Sequence, residues 1–268
     1  MAQLTWDESG EKIFEAGLDR GVLYLNDGTG LAWNGLKAFN EIDLQGFEPY
    51  VYDGLKTGNL PVSGDFAGKL TAFTYPDEFL PYIGISSAVK ALNITGLYIP
   101  NQLGRRSFGL SYRTLIGDDV KSTDLGYKIH ILYNLVASAD GIDYETLDDN
   151  VDPVDFKWTV TSTPEIVAGY HPTAHVIADS RYLSEIRMAH LEEILYGSET
   201  SSPRLPDLAS LLDSLDNTYL ITITDHGNGT WSAEGPDDLV TMTDETTFSI
   251  DSSGVTIIDP DTYDITSA

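Results

Sequence analysis

The sequence predicts a mainly β protein with one flanking α-helix and a small acidic β unit at its C-terminal end. Three observations lead there. Residues 69–75 and 156–161 alternate apolar and polar side chains at the two-residue period of half-buried strands, and 105–114 and 126–134 are rich in β-branched and aromatic residues. By contrast, Leu183, Ile186, Leu191, Ile194 and Leu195 fall on one broad face at helical spacing. The charge also breaks: the formal net charge is −27, and residues 216–268 hold eleven acidic side chains with no lysine or arginine.

Taken in order, residues 1–75 alternate short apolar runs with glycine-rich turns. Val22-Leu23-Tyr24-Leu25 leads into Asn26-Asp27-Gly28-Thr29-Gly30 and resumes at Leu31-Ala32-Trp33, a hairpin or a loop between strands. Residues 45–65 read as a long hairpin arm or loop turned at Asp53-Gly54, with Phe47, Tyr50 and Tyr52 available for contact with another subunit. The strand at 69–75 stops at Pro76. Segments 105–114 and 126–134 read as a hairpin pair across the Gly117-Asp118-Asp119 turn, and 140–155 as a polar loop with seven acidic groups. Strands at 156–161 and 174–178 follow.

The helix is expected to start near Ser180, with Ser180 as its cap, and to stop at Gly197. Residues 198–206, with Pro203 and Pro206, read as a linker, and a short helix follows from Asp207 to Leu215. Beyond it, 219–224 with 230–233 and 247–250 with 255–258 read as two hairpins. The expected organisation is therefore a β domain over 1–200 with its helix near 181–196, a proline-containing linker and short helix over 201–215, and an acidic β-rich extension over 216–268.

Little in the chain points to catalysis. It has no cysteine, which removes disulfides, thiolate metal sites and cysteine nucleophiles. His171 and His175 are four apart, but Pro172 between them prevents a shared helical face, so they read as satisfied or exposed side chains and not as a metal site. Asp148-Asp149-Asn150-Val151-Asp152 opens like a calcium loop, yet Pro153 stands where the EF-hand turn needs glycine. Carboxylates are too many for any acid pair to stand out, and neither a Gly-x-Ser-x-Gly elbow nor a Walker loop occurs. No catalytic residue, cofactor or metal is expected.

The charge speaks about partners instead. Fifteen basic residues scattered among 42 acidic ones repel a phosphate backbone and form no basic stripe. Arg105 and Arg106, opening their predicted strand, and Arg113, closing it, suit ion pairs with acidic groups on a neighbouring subunit. No run approaches the roughly 18 apolar residues of a membrane span, and the start has no signal-peptide pattern, so a soluble, non-secreted chain is expected.

Several ordered segments carry a family resemblance. They are Leu4-Thr5-Trp6-Asp7, Glu15-Ala16-Gly17-Leu18-Asp19-Arg20-Gly21, Ala72-Phe73-Thr74-Tyr75-Pro76-Asp77-Glu78-Phe79, Phe108-Gly109-Leu110-Ser111-Tyr112-Arg113-Thr114, His171-Pro172-Thr173-Ala174-His175 and Leu191-Glu192-Glu193-Ile194-Leu195-Tyr196-Gly197. In this order over residues 4–206 the chain resembles the major tail proteins, the tail tube subunits, of long non-contractile-tailed phages of actinobacteria.

That resemblance implies a tail-tube-type β-sandwich or barrel-like subunit with a flanking helix. Six copies would close into a ring, and rings would stack around the tape-measure protein. Tail-tip and tail-terminator proteins would be further partners, double-stranded DNA would pass transiently, and nothing would insert into a membrane. The location implied is the phage tail in the virion, assembled in the host cytoplasm. The acidic extension lies outside the matched segments and reads as an external decoration. Competing readings are a capsid decoration or tail-tip subunit and, from another class, a carbohydrate-binding or carbohydrate-active β protein.

Overall fold

The computed structural model describes residues 6, 8–42, 47–52, 55–61, 66–86, 96–101, 104–144, 146 and 153–216, with four short strands beyond. For 47–52, 55–61 and those last strands only the backbone is described.

One eight-stranded antiparallel sheet organises the chain. Its strands are β1 (Phe14–Tyr24), β2 (Gly30–Ala32), β3 (Leu36–Ile42), β6 (Ala67–Ala72), β7 (Phe108–Asp118), β8 (Ser122–Ala139), β9 (Phe156–Ser162) and β10 (His175–Asp179). They run in the order β2-β1-β7-β8-β9-β6-β3, and β10 joins β8 off that path. The sheet is open. It bends because β8 changes partners: residues 128–132 pair with β10, whereas 135–139 pair with β9. Asn134 sits at this change with a φ of 53°, where the β7 register also slips. A left-handed residue at a bulge turns the strand, and asparagine tolerates that conformation better than most side chains.

The bend brings β3 over β7, where Phe39 and Tyr112 pack ring against ring at 5.3 Å. Inside the curl lies the first core. Leu23, Leu70, Phe79, Leu110, Leu132, Trp158 and Val160 are all buried there. A 3-10 helix, Asp77–Ile83, was not anticipated; it delivers Phe79 and Tyr82 into that core. Also unanticipated were β3 and the first half of β1, whose apolar residues are too sparse to show a clean alternation.

The opposite face of β1 and β8 carries the second core. Val22, Tyr24, Ile129, Ile131 and Tyr133 meet Met188, Leu191, Ile194 and Leu195 of helix α1 (Glu185–Tyr196), with Leu208 and Leu211 of α2 (Leu208–Asp216). Alternation explains the division: Leu23 points into the curl and its neighbours Val22 and Tyr24 point to the helices. Tyr24 fixes α1 by donating its hydroxyl to the Leu195 carbonyl at 2.9 Å.

The helix begins later than the sequence predicts. Ser180 Oγ accepts the Tyr127 backbone N–H at 2.9 Å, so it is tied to β8 and does not cap. Tyr182 and Leu183 donate their N–H groups to the Asp179 carbonyl in a turn, and the helix starts after Ser184. For α2 the expected start is close, and Asp207 Oδ1 accepts the Ser210 N–H at 2.9 Å as its cap. Between the helices, the 198–206 segment runs along the β1–β2 turn: Gly30 N–H donates to the Pro203 carbonyl and Leu205 N–H to the Gly28 carbonyl, both at 2.9 Å.

Among the described residues, two further pieces pair only within themselves. β4 (Phe47–Tyr52) and β5 (Leu55–Pro61) form a two-stranded hairpin separate from the main sheet. The predicted turn at Asp53-Gly54 lies outside the described residues. In the acidic extension, β11 (Thr222–Asp225) pairs with β12 (Trp231–Glu234), as the sequence suggests. Of the second expected hairpin only the first strand is described. β14 (Phe248–Ile250) takes the upstream β13 (Val240–Met242) as its partner, and 255–258 lies outside the described residues.

Candidate functional site

The six residues expected at subunit contacts fall into three settings. Phe47, Tyr50 and Tyr52 all lie on β4 of the separate hairpin; their side chains are outside the described residues. Arg105 and Arg106 precede β7 and are exposed. Arg113 lies within β7, which continues to Asp118. Its guanidinium grips Asp19 of the same chain with two hydrogen bonds, Nε to Oδ1 at 2.8 Å and Nη2 to Oδ2 at 2.6 Å. That pair holds the Asp19 carboxyl below its ordinary value, against a smaller opposing effect of burial. The bulges of β1, at Gly17 with a φ of 76° and Arg20 with a φ of 48°, bracket Asp19 and set it opposite Arg113.

A second constellation was invisible in the sequence. Inside the open end of the curl, Glu41 of β3, His130 of β8 and His175 of β10 converge. His130 Nδ1 lies 3.1 Å from His175 Nε2 and 3.3 Å from Glu41 Oε1, and His175 Nε2 lies 3.8 Å from the same oxygen. His130 is almost wholly buried, its side chain 8% exposed, whereas Glu41 is 37% exposed and gives the cluster its opening to solvent.

Surrounding groups hold the cluster in place. Tyr112 donates its hydroxyl to Glu41 Oε1 and stacks on the His130 ring at a centroid distance of 4.7 Å. On the far side of that ring, His130 Nε2 lies 3.2 Å from Thr114 Oγ1 and 3.3 Å from Glu15 Oε1. Glu15 is in turn held by Lys128 Nζ at 2.5 Å. Hydrogen bonding from His130 brings the Glu41 carboxyl down to about 2, with burial opposing and Tyr112 assisting. Burial lowers His175, and the Glu41 charge offsets part of that. Burial, reinforced by Glu41, pushes the Tyr112 hydroxyl far above its usual range. The result is an ionised carboxylate beside two imidazole nitrogens, an arrangement suited to holding a cation.

Along the sequence His171 is the histidine nearest to His175, but in the fold the partner of His175 is His130. A signal did exist. Both histidines occupy predicted strands at inward-facing positions, but only the β8–β10 register, with Ile177 opposite His130 and His175 opposite Leu132, sets them diagonally adjacent.

No family model and no curated protein matches the chain. Among solved structures it is similar to the sheath/tube terminator of the PVC extracellular contractile injection system in its extended state, at 9% identity over 66% of this chain and 99% of that one, with a TM-score of 0.27. It is similar also to the tube-terminating cap of the anti-feeding prophage, at 10% identity, 67% and 97% coverage and a TM-score of 0.28. A chain of the anti-feeding prophage baseplate aligns at 6% identity, 65% and 97% coverage and a TM-score of 0.26. Superpositions this loose define neither a common fold nor a common function.

Proposed function

We propose that the chain is a self-assembling structural subunit of a phage tail tube, of the kind built by long non-contractile-tailed phages. The observation that carries this reading is the β4–β5 hairpin. It is inserted between β3 and β6, which are adjacent antiparallel strands paired as far as Ile42 and Ala67, and among the described residues it joins no strand of the main sheet. A strand pair that could have been closed by a short turn instead emits an arm. An arm of this kind has open backbone edges to offer to a neighbouring copy.

On this reading six copies close into rings and the rings stack head to tail, an arrangement whose axial contacts are open-ended. The curled sheet is then a tail-tube-type sandwich or barrel-like subunit, with its free edges covered by neighbours. The extension over 216–268 decorates the outside. The net charge of −27 suits a conduit through which DNA passes without sticking. The tape-measure, tail-tip and tail-terminator proteins are the partners, and the tail, assembled in the host cytoplasm, is the location. Exposed Ile166, Tyr170 and Tyr182 offer further apolar contact surface.

The test is deletion of residues 47–60 followed by negative-stain electron microscopy. The intact chain is expected to give hollow rings or tubes. The deletion variant, whose β3–β6 ladder is untouched, is expected to keep its circular dichroism spectrum and stay monomeric. Rings that persist without the arm would overturn its role, and discrete particles without an axial channel from the intact chain would overturn the tube.

A further inference from the structure

We infer that Glu41, His130 and His175 form a binding site for one divalent transition-metal ion of the zinc class, stapling β3 across β8 and β10. Such a site needs only these three side chains and no neighbouring copy of the chain.

Distances come first. His130 Nδ1, His175 Nε2 and Glu41 Oε1 form a triangle with sides of 3.1, 3.3 and 3.8 Å. The point equidistant from its corners lies about 2.0 Å from each, and zinc binds imidazole nitrogen at about 2.0–2.1 Å and carboxylate oxygen at about 2.0–2.2 Å. The edge of a tetrahedron with such bonds is about 3.3 Å, which the triangle approximates without movement of the backbone. An ion displaced about 0.7 Å from that plane, toward a water as fourth ligand on the exposed side of Glu41, would keep bonds of about 2.1 Å to all three.

Chemistry comes second. Three groups with lone pairs to give converge on one point. A proton between the two histidines answers a single pair of them, whereas a divalent ion answers all three at once. The outer contacts also fit. A ligating imidazole is oriented by a partner on its other nitrogen, most often a carboxylate. His130 has that partner: its Nε2 faces Glu15 Oε1 and Thr114 Oγ1, which directs Nδ1 into the cluster. Glu41 is steadied in the same way by the Tyr112 hydroxyl. The three ligands come from three strands, and β3 carries one of them across the mouth of the curl. An ion here would therefore brace the open end of the sheet, at the edge of the core where Phe66 packs on His175 and Tyr112 on His130.

The experiment uses the full chain, stripped with a chelator and dialysed, then titrated with zinc chloride against a chromogenic competitor. Cobalt(II) serves as the spectroscopic probe. The expected result is one saturable site per chain, with the visible absorption intensity of tetrahedral cobalt and a higher melting temperature when zinc is bound. His175→Gln and Glu41→Gln should each abolish that site. Glu15→Gln should weaken it roughly tenfold, the cost usual for losing a carboxylate behind a ligating histidine. Circular dichroism of the metal-free variants checks that they fold, and Glu41→Gln, altering a partly exposed residue, keeps the test open if His175→Gln does not. The inference is overturned if zinc binds only weakly at several acidic sites, or if a one-to-one site survives both substitutions.

Discussion

Inside the curl, the two ends of one face differ sharply. At the dry end Phe79 lies 4.8 Å from the ring of Trp33, 5.1 Å from Phe108 and 5.4 Å from Trp158, all of them buried. At the open end the same strands present Glu41, Tyr112, Thr114, His130 and His175. The change takes only a few residues along each strand. Leu110, Tyr112 and Thr114 of β7 stand opposite Leu132, His130 and Lys128 of β8. Each inward step toward the opening replaces an apolar side chain by a more polar one, and the buried polar groups are tolerated because each is hydrogen-bonded, Tyr112 to Glu41 and His130 to Thr114, Glu15 and His175. The dry end supplies stability by burial. The wet end supplies position, through hydrogen bonds and charge.

The contrast can be broken or sharpened by substitution. The largest effect is expected from Phe79→Ala, which empties the centre of the aromatic cluster and should cost ~3–5 kcal/mol in urea unfolding. Tyr112→Phe keeps the ring against His130 and removes only the hydrogen bond to Glu41. It should cost ~1.5–3 kcal/mol by the same assay, the usual size for a bond to a charged group. Equal losses from the two would erase the distinction drawn between the ends.

Smallest is the effect of Asp19→Asn on the opposite face, read as melting temperature against pH. Because Arg113 holds the folded carboxyl below its ordinary value of 3.8, its stabilisation is present above that value and drains as pH falls through the lower folded one. The variant should therefore show a flatter acid limb, with a loss at neutral pH under ~1 kcal/mol, since Asp19 is 43% exposed and solvent screens the pair. An unchanged acid limb would mean the pair forms without stabilising the fold.

Where periodicity was strong, the fold was legible. The alternation of 156–161 predicts β9, and the helical spacing of Leu191, Ile194 and Leu195 predicts α1. Local hydrogen bonding was not legible: Ser180 looks like a cap, but the β8 backbone claims its hydroxyl. Nor did the sequence announce β13, the three-residue strand that pairs with Phe248–Ile250. The polar cluster was the least legible of all, since Glu41, His130 and His175 are separated by 89 and 45 positions and share no motif.

The sequence by itself determined the mainly β class, the flanking helix, the absence of thiol chemistry and the acidic field, because alternation, helical spacing and charge are properties of neighbours along the chain. Tertiary structure alone decided that the sheet bends at Asn134, that β3 crosses the mouth of the curl, and that two distant histidines meet one carboxylate. Register is the physical reason. A shift of one residue between β8 and β10 would turn His175 to the opposite face and dissolve the cluster, and nothing local in either strand records which register the packed core selects.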